Sequence, residues 1–131
     1  MAKKLTHILY VDDEAHIQEV AQMCLEVVGG FTVTCLNNGH DAVENLPVIK
    51  PDLLLLDVMM PQMDGPATLR ALQEHYPVLP PVVFMTARVQ PEEIDHYMAM
   101  GVAGVISKPF DAMKLSEQIT QIWETLDGME K

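Results

Sequence analysis

The chain has 131 residues, 49% of them hydrophobic and 21% charged, which fits one domain with one core and excludes a disordered or low-complexity protein. Its formal net charge of −11 disfavours nonspecific binding to nucleic acid and to anionic membranes. The apolar run Ile8–Val11 stops at Asp12, too short for a signal peptide or a spanning helix, so a cytoplasmic protein is expected.

That first run reads as a buried strand. From Ala15 the period changes, and Ile17, Val20, Ala21, Cys24, Leu25 and Val28 form one helical stripe, ended by Gly29 and Gly30. Residues 31–36 are rich in β-branched side chains and read as a second strand. Asn37, Asn38 and Gly39 make a turn before a short helix with Ala42, Val43 and Leu46 inward and Pro47 near its end. Leu53, Leu54, Leu55 and Leu56 are apolar at every position, which means a strand covered on both faces.

Gly65 opens a helix to about His75, and Pro77, Pro80 and Pro81 bracket the loop before a strand from Val82 to Met85. Pro91 suits a first helical turn, with Glu92, Glu93 and Asp95 behind it and Gly101 at the end. Val102–Ile106 holds the fifth strand. Asp111 can cap a last helix with the stripe Leu115, Ile119, Ile122 and Leu126, ended by Gly128. Five β–α units imply a doubly wound α/β fold with a parallel five-stranded sheet, five helices and right-handed crossovers. The expected organisation is a single domain over residues 1–131, with a short tail from about 128 and no output domain.

In such sheets the site lies beyond the carboxyl ends of the strands. The first strand ends in Asp12 and Asp13, the third in Asp57, the fourth in Thr86 and Ala87, the fifth in Ser107, Lys108 and Pro109. Each alone has a bland reading: a turn or helix cap, a strand-end hydroxyl, a solvated charge. Their coincidence at successive strand ends brings three carboxylates, a hydroxyl and an ammonium to one edge. Crowded carboxylates need a proton or a cation. Magnesium suits oxygen ligands, whereas zinc would want His or Cys nearby in the sequence. A nucleophilic carboxylate beside a cation, a lysine and a hydroxyl is suited to phosphoryl transfer.

At these residues the chain resembles the receiver domains of bacterial response regulators, over almost its whole length. Val11-Asp12-Asp13-Glu14 is similar to the family's acidic pair, and residues 56–65, Leu-Asp-Val-Met-Met-Pro-Gln-Met-Asp-Gly, to its phosphoacceptor motif. Met85-Thr86-Ala87 and Lys108-Pro109-Phe110 resemble its remaining signatures. The resemblance implies a flavodoxin-like sheet of order 2-1-3-4-5. It implies that Asp57 takes a phosphoryl group from a sensor histidine kinase, a histidine phosphotransfer protein or a small phosphodonor. Asp13 and Asp57 would hold Mg2+ with the carbonyl of Met59, and Asp12 would act through a water. Lys108, the Thr86 hydroxyl and the Ala87 N–H would bind the phosphoryl oxygens. Pro61 and Gly65 would shape the loop, and a cis bond is usual before the proline at Pro109. Thr86 would then move, and the face of the fourth helix, fifth strand and fifth helix would change for a downstream protein.

Two features depart from the family. Val105 stands where many members carry Tyr or Phe, so no aromatic can rotate there. Met59 and Arg88 occupy positions that tune dephosphorylation, and the expectation is a phosphorylated state that outlives a fast chemotaxis switch. The chain is not expected to be a conventional enzyme. An aspartate-nucleophile phosphatase would need a second Asp where Met59 stands, and no glycine-rich loop follows the first strand to bind a nucleotide. A receiver belonging to a longer regulator or hybrid kinase is the alternative. Cys24 and Cys35 read as small buried hydrophobes, the methionines mainly as core filling, the five histidines as surface groups, and Trp123 as packing beside the last helix's stripe.

Overall fold

The computed structural model describes residues 4–87 and 90–129. Strands and helices alternate: β1 (His7–Val11), α1 (Ala15–Val27), β2 (Thr32–Leu36), α2 (Gly39–Ile49), β3 (Leu53–Asp57), α3 (Gly65–His75), β4 (Val82–Thr86), α4 (Pro91–Ala99), β5 (Gly104–Ser107) and α5 (Leu115–Met129). The sheet is parallel throughout with order β2-β1-β3-β4-β5.

Strand side chains alternate between two apolar layers. Leu9, Val11, Leu54, Leu56 and Phe84 pack with Ala42, Leu46, Leu69, Leu72 and Tyr97 from α2, α3 and α4. Ile8, Tyr10, Leu53, Leu55, Val83 and Met85 pack with Ala21, Leu25, Leu115 and Ile119 from α1 and α5. The four leucines of β3 are fully enclosed, as their unbroken apolar run requires. Each such burial is worth about 2 kcal/mol.

Local chemistry sets the element ends. Asn38 caps α2 by accepting the Asp41 N–H, and Asp64 caps α3 by accepting that of Ala67. Gly30, at φ 72°, turns the chain out of α1, and Gly101, at φ 103°, follows α4. Pro47 lies inside α2 and has no N–H for the Val43 carbonyl; the Tyr76 hydroxyl donates to that carbonyl instead. At the opposite edge of the sheet from the strand carboxyl ends, the Asp52 carboxylate accepts from Thr6 N, Thr6 Oγ1 and His7 N at 2.8–3.0 Å, tying β1 to β3.

Several expectations change. Val20 and Val28 are exposed, because α1 meets the sheet along the narrower line of Ala21 and Leu25. The last helix takes in Gly128, and a turn held by Asp111 precedes its start at Leu115. The fifth strand starts at Gly104. Both cysteines are half-buried. Met60 and Met85 fill the core, but Met23, Met59, Met98 and Met113 are exposed. His7 is half-buried and meets the Thr34 hydroxyl at 2.7 Å. No helix among the described residues is long and apolar enough to cross a membrane.

Candidate functional site

The strand order reverses between β1 and β3, and the residues at their carboxyl ends flank the resulting crevice. Asp12 follows β1 directly and Asp57 closes β3. Asp12, Asp13, Glu14 and Asp57 can each offer a carboxylate oxygen, all within 4.8 Å of one another, and together could hold a metal ion. Asp12 and Asp57 are buried, whereas Asp13 and Glu14 are exposed.

Lys108 arrives from the end of β5. Its backbone N–H donates to the Thr86 carbonyl at 2.8 Å, which fixes the end of β5 beside that of β4. Its ammonium bridges the two buried acids, 3.0 Å from Asp12 Oδ2 and 3.2 Å from Asp57 Oδ1. Burial alone would lower the lysine's pKa. The hydrogen bond to Asp12 and the charges of Asp57 and Asp12 outweigh it and raise the pKa.

One ammonium does not balance this cluster. Burial first, then the Asp12 charge, push the Asp57 carboxyl up to about 6, although Lys108 and the Met59 backbone N–H pull it back. Asp57 Oδ2 is buried and has no hydrogen-bond partner among the described residues. A buried carboxylate oxygen without a donor calls for a further ligand. With three other carboxylates around it and no His or Cys in the group, the donor set suits a hard divalent cation.

The loop after β3 brings its own constraints. Gly65 lies against the end of the strand: a Cβ there would meet the Asp57 carbonyl and Val58 Cα, both at 2.8 Å. Its N–H donates to the Val58 carbonyl at 2.9 Å. Gln62 turns at φ 68° with the Met63 N–H on the Pro61 carbonyl at 2.7 Å. Met59 extends into solvent, 64% exposed.

Thr86 is buried at the end of β4, and Ala87 after it is exposed. The Lys108–Pro109 peptide is cis. Arg88 lies outside the described residues. Val105 is half-buried in β5, opposite Phe84 in register, and packs against the layer that holds Tyr97. The Tyr97 ring meets Phe84 edge-on, with centroids 5.2 Å apart.

Sequence reasoning left two residues without a role. Glu14 joins the acidic group, 3.6 Å from the Lys108 ammonium. Tyr10, read as one more apolar strand residue, donates its hydroxyl to Asp12 Oδ2 at 2.5 Å. Burial and that neighbouring carboxylate hold its phenol far above the ordinary tyrosine pKa, so it remains a donor. The signal was present: residues 10 and 12 share one side of an extended chain.

Residues 8–120 match the family described as the response regulator receiver domain. The chain is 33% identical over 117 residues to the transcriptional regulatory protein CseB of Streptomyces coelicolor, covering 89% of this chain and 49% of that protein. It is 31% identical over 133 residues to the probable C4-dicarboxylate response regulator DctR of Halalkalibacterium halodurans, covering 100% of this chain and 57% of that one. The chain thus spans about half the length of these curated relatives. Among solved structures, the chemotaxis protein CheY4 of Vibrio cholerae superposes with a TM-score of 0.80 at 26% identity, over 91% of this chain and 99% of that one.

Proposed function

This chain belongs to the response regulator receiver domain family of two-component systems, and from that premise we propose that it accepts a phosphoryl group on Asp57. The carrying observation is the state of that carboxylate: buried, paired to Lys108 through Oδ1, and unpartnered at Oδ2 beside three further acids. The donor is a phosphohistidine on a sensor histidine kinase or histidine phosphotransfer protein, or a small acyl phosphate. The Asp57 carboxylate attacks phosphorus, the bond from phosphorus to the donor breaks, and a phosphohistidine donor's imidazole leaves and takes a proton from solvent.

Mg2+, held by Asp13, Asp57 and the Met59 carbonyl, with Asp12 acting through a water, would offset the charge of the carboxylates and the phosphoryl oxygens. An indirect part for Asp12 agrees with its satisfied oxygens: Oδ1 accepts the Glu14 N–H at 2.9 Å, and Oδ2 faces Tyr10 and Lys108. Lys108 follows the charge as it moves to the phosphoryl oxygens, and Thr86 Oγ1 with the Ala87 N–H completes their binding. The added charge, about −1.5 to −2 on the phosphoserine scale, then favours one of two pre-existing states of the α4-β5-α5 face.

Receiver domains are generally not conventional enzymes, and this one acts by changing its own charge for a downstream protein rather than by turning over an external substrate. Residues 1–131 form one receiver domain. The acidic charge favours a protein partner over nucleic acid for this domain, in the cytoplasm. Met59 and Arg88 tune how long the phosphorylated state lasts. Mass spectrometry after incubation with magnesium and acetyl phosphate tests the reading: wild type gains one phosphoryl group and Asp57→Asn does not. An unchanged wild-type mass would overturn it.

A further inference from the structure

Asp12 is enclosed, and its carboxyl group must hold its orientation beside a second buried acid, Asp57. Among the described residues three donors surround its carboxylate: the Glu14 N–H on Oδ1, and the Tyr10 hydroxyl and Lys108 ammonium on Oδ2. Two of these have other duties or freedoms. Glu14 is on an exposed loop, and Lys108 is shared with Asp57. Tyr10 is the rigid one. It sits in the middle of the sheet on β1, fully enclosed, aligned with Cys35 of β2 and Leu55 of β3. Its hydroxyl has only Asp12 and, at 3.8 Å, the Met85 sulfur within reach among the described residues.

We propose that Tyr10 is a positioning residue of the acidic site: it holds the Asp12 carboxylate in a fixed orientation, which sets the affinity for magnesium and leaves Lys108 free to reach Asp57. This rests on the reading of the site given above. A phenol can donate but adds no charge, so it satisfies Asp12 Oδ2 without competing with a cation for the cluster. Without it, Lys108 is the only donor left on that oxygen among the described residues, and the ammonium is drawn toward Asp12 and away from Asp57. A hydrogen bond to a charged group supports an effect of about tenfold on an equilibrium constant.

The test is a calorimetric titration of the full chain with magnesium, in wild type, Tyr10→Phe, Asp12→Asn and the double variant. Tyr10→Phe should weaken magnesium binding about tenfold. At saturating magnesium, labelling of Asp57 by acetyl phosphate should remain several-fold slower than in wild type, because the metal does not return the Lys108 ammonium to Asp57. In the Asp12→Asn background the tyrosine substitution should change nothing, since its effect passes through that carboxylate. Wild-type affinity in Tyr10→Phe, or an equal loss in both backgrounds, overturns the proposal. Should Tyr10→Phe not fold, Tyr10→Leu carries the same measurements; loss of the fold in both assigns Tyr10 to core packing and overturns it too. A wild type that neither binds magnesium nor takes the label removes the reading of the site itself, and this inference with it.

Discussion

The Lys108 ammonium lies 3.2 Å from Oδ1 of Asp57, joining the end of β5 to the end of β3 across the intervening strand. Lys108→Ala removes the one cation that the described residues bring to the buried pair. Phosphorylation by acetyl phosphate should slow about 100-fold, the scale expected for losing one charge-stabilising donor. Magnesium affinity should not fall, because the cluster becomes more negative. Comparing labelling rates with magnesium titrations separates the two effects; a joint loss would give Lys108 a structural part instead.

Asp57 supplies a pH dependence whose direction is fixed. Its carboxyl is raised from 3.8 to about 6 in the folded, metal-free protein, chiefly by burial. The folded state therefore keeps a proton that the unfolded state gives up, and stability falls as pH rises between about 4 and 6. Asp57→Asn should remove that slope and be more stable than wild type at pH 7, by on the order of 3 kcal/mol at most. Below pH 4 the two should converge. Urea unfolding in EDTA across this range reads the difference, and parallel curves would contradict it. Magnesium should raise the wild-type midpoint at pH 7 and leave Asp57→Asn nearly unmoved.

Most of the fold was legible because the strands are short apolar runs, whereas the helices repeat their apolar residues at helical spacing. The unbroken leucines at 53–56 announced a strand covered on both sides, and Gly65 and His75 bound α3 as expected. The acidic cluster was legible because parallel strands put their ends on one edge. What the sequence hid were contacts made across the sheet. Tyr10 lies in an apolar run that conceals where its hydroxyl goes. Asp52 was given no part by the sequence, and its carboxylate accepts from the Thr6 and His7 N–H groups. Val20 and Val28 are exposed because α1 fully buries only Ala21 and Leu25, and periodicity does not fix how wide the buried stripe is.

Gly65 should not tolerate a side chain. Its φ is unremarkable, so the constraint is space: an added Cβ meets backbone of Asp57 and Val58, which cannot step aside as a flexible side-chain end can. Gly65→Ala should cost about 1–3 kcal/mol by overpacking. It should also slow labelling of Asp57, because the displaced atoms carry that carboxylate. Thermal unfolding together with acetyl phosphate labelling checks both; a stable variant that loses labelling would place the constraint in the loop alone.

Asp52 offers the complementary case, stability without chemistry. Its carboxylate is at the opposite edge of the sheet from Asp57 and accepts from two backbone N–H groups and a hydroxyl where β1 begins. Asp52 is largely enclosed, whereas Thr6 is exposed and His7 half-buried, so water replaces part of what the carboxylate gives those N–H groups. Asp52→Ala leaves them without this acceptor, which should cost about 2 kcal/mol. Asp57 and Lys108 keep their arrangement, because β3 remains pinned by β1 and β4 along the rest of its length. Denaturant unfolding should therefore shift while magnesium affinity and the labelling rate of the folded protein stay at wild-type values. A parallel loss of magnesium binding would mean that the anchoring of β1 at Thr6 and His7 reaches through Tyr10 to Asp12, and that the two edges of the sheet are energetically coupled.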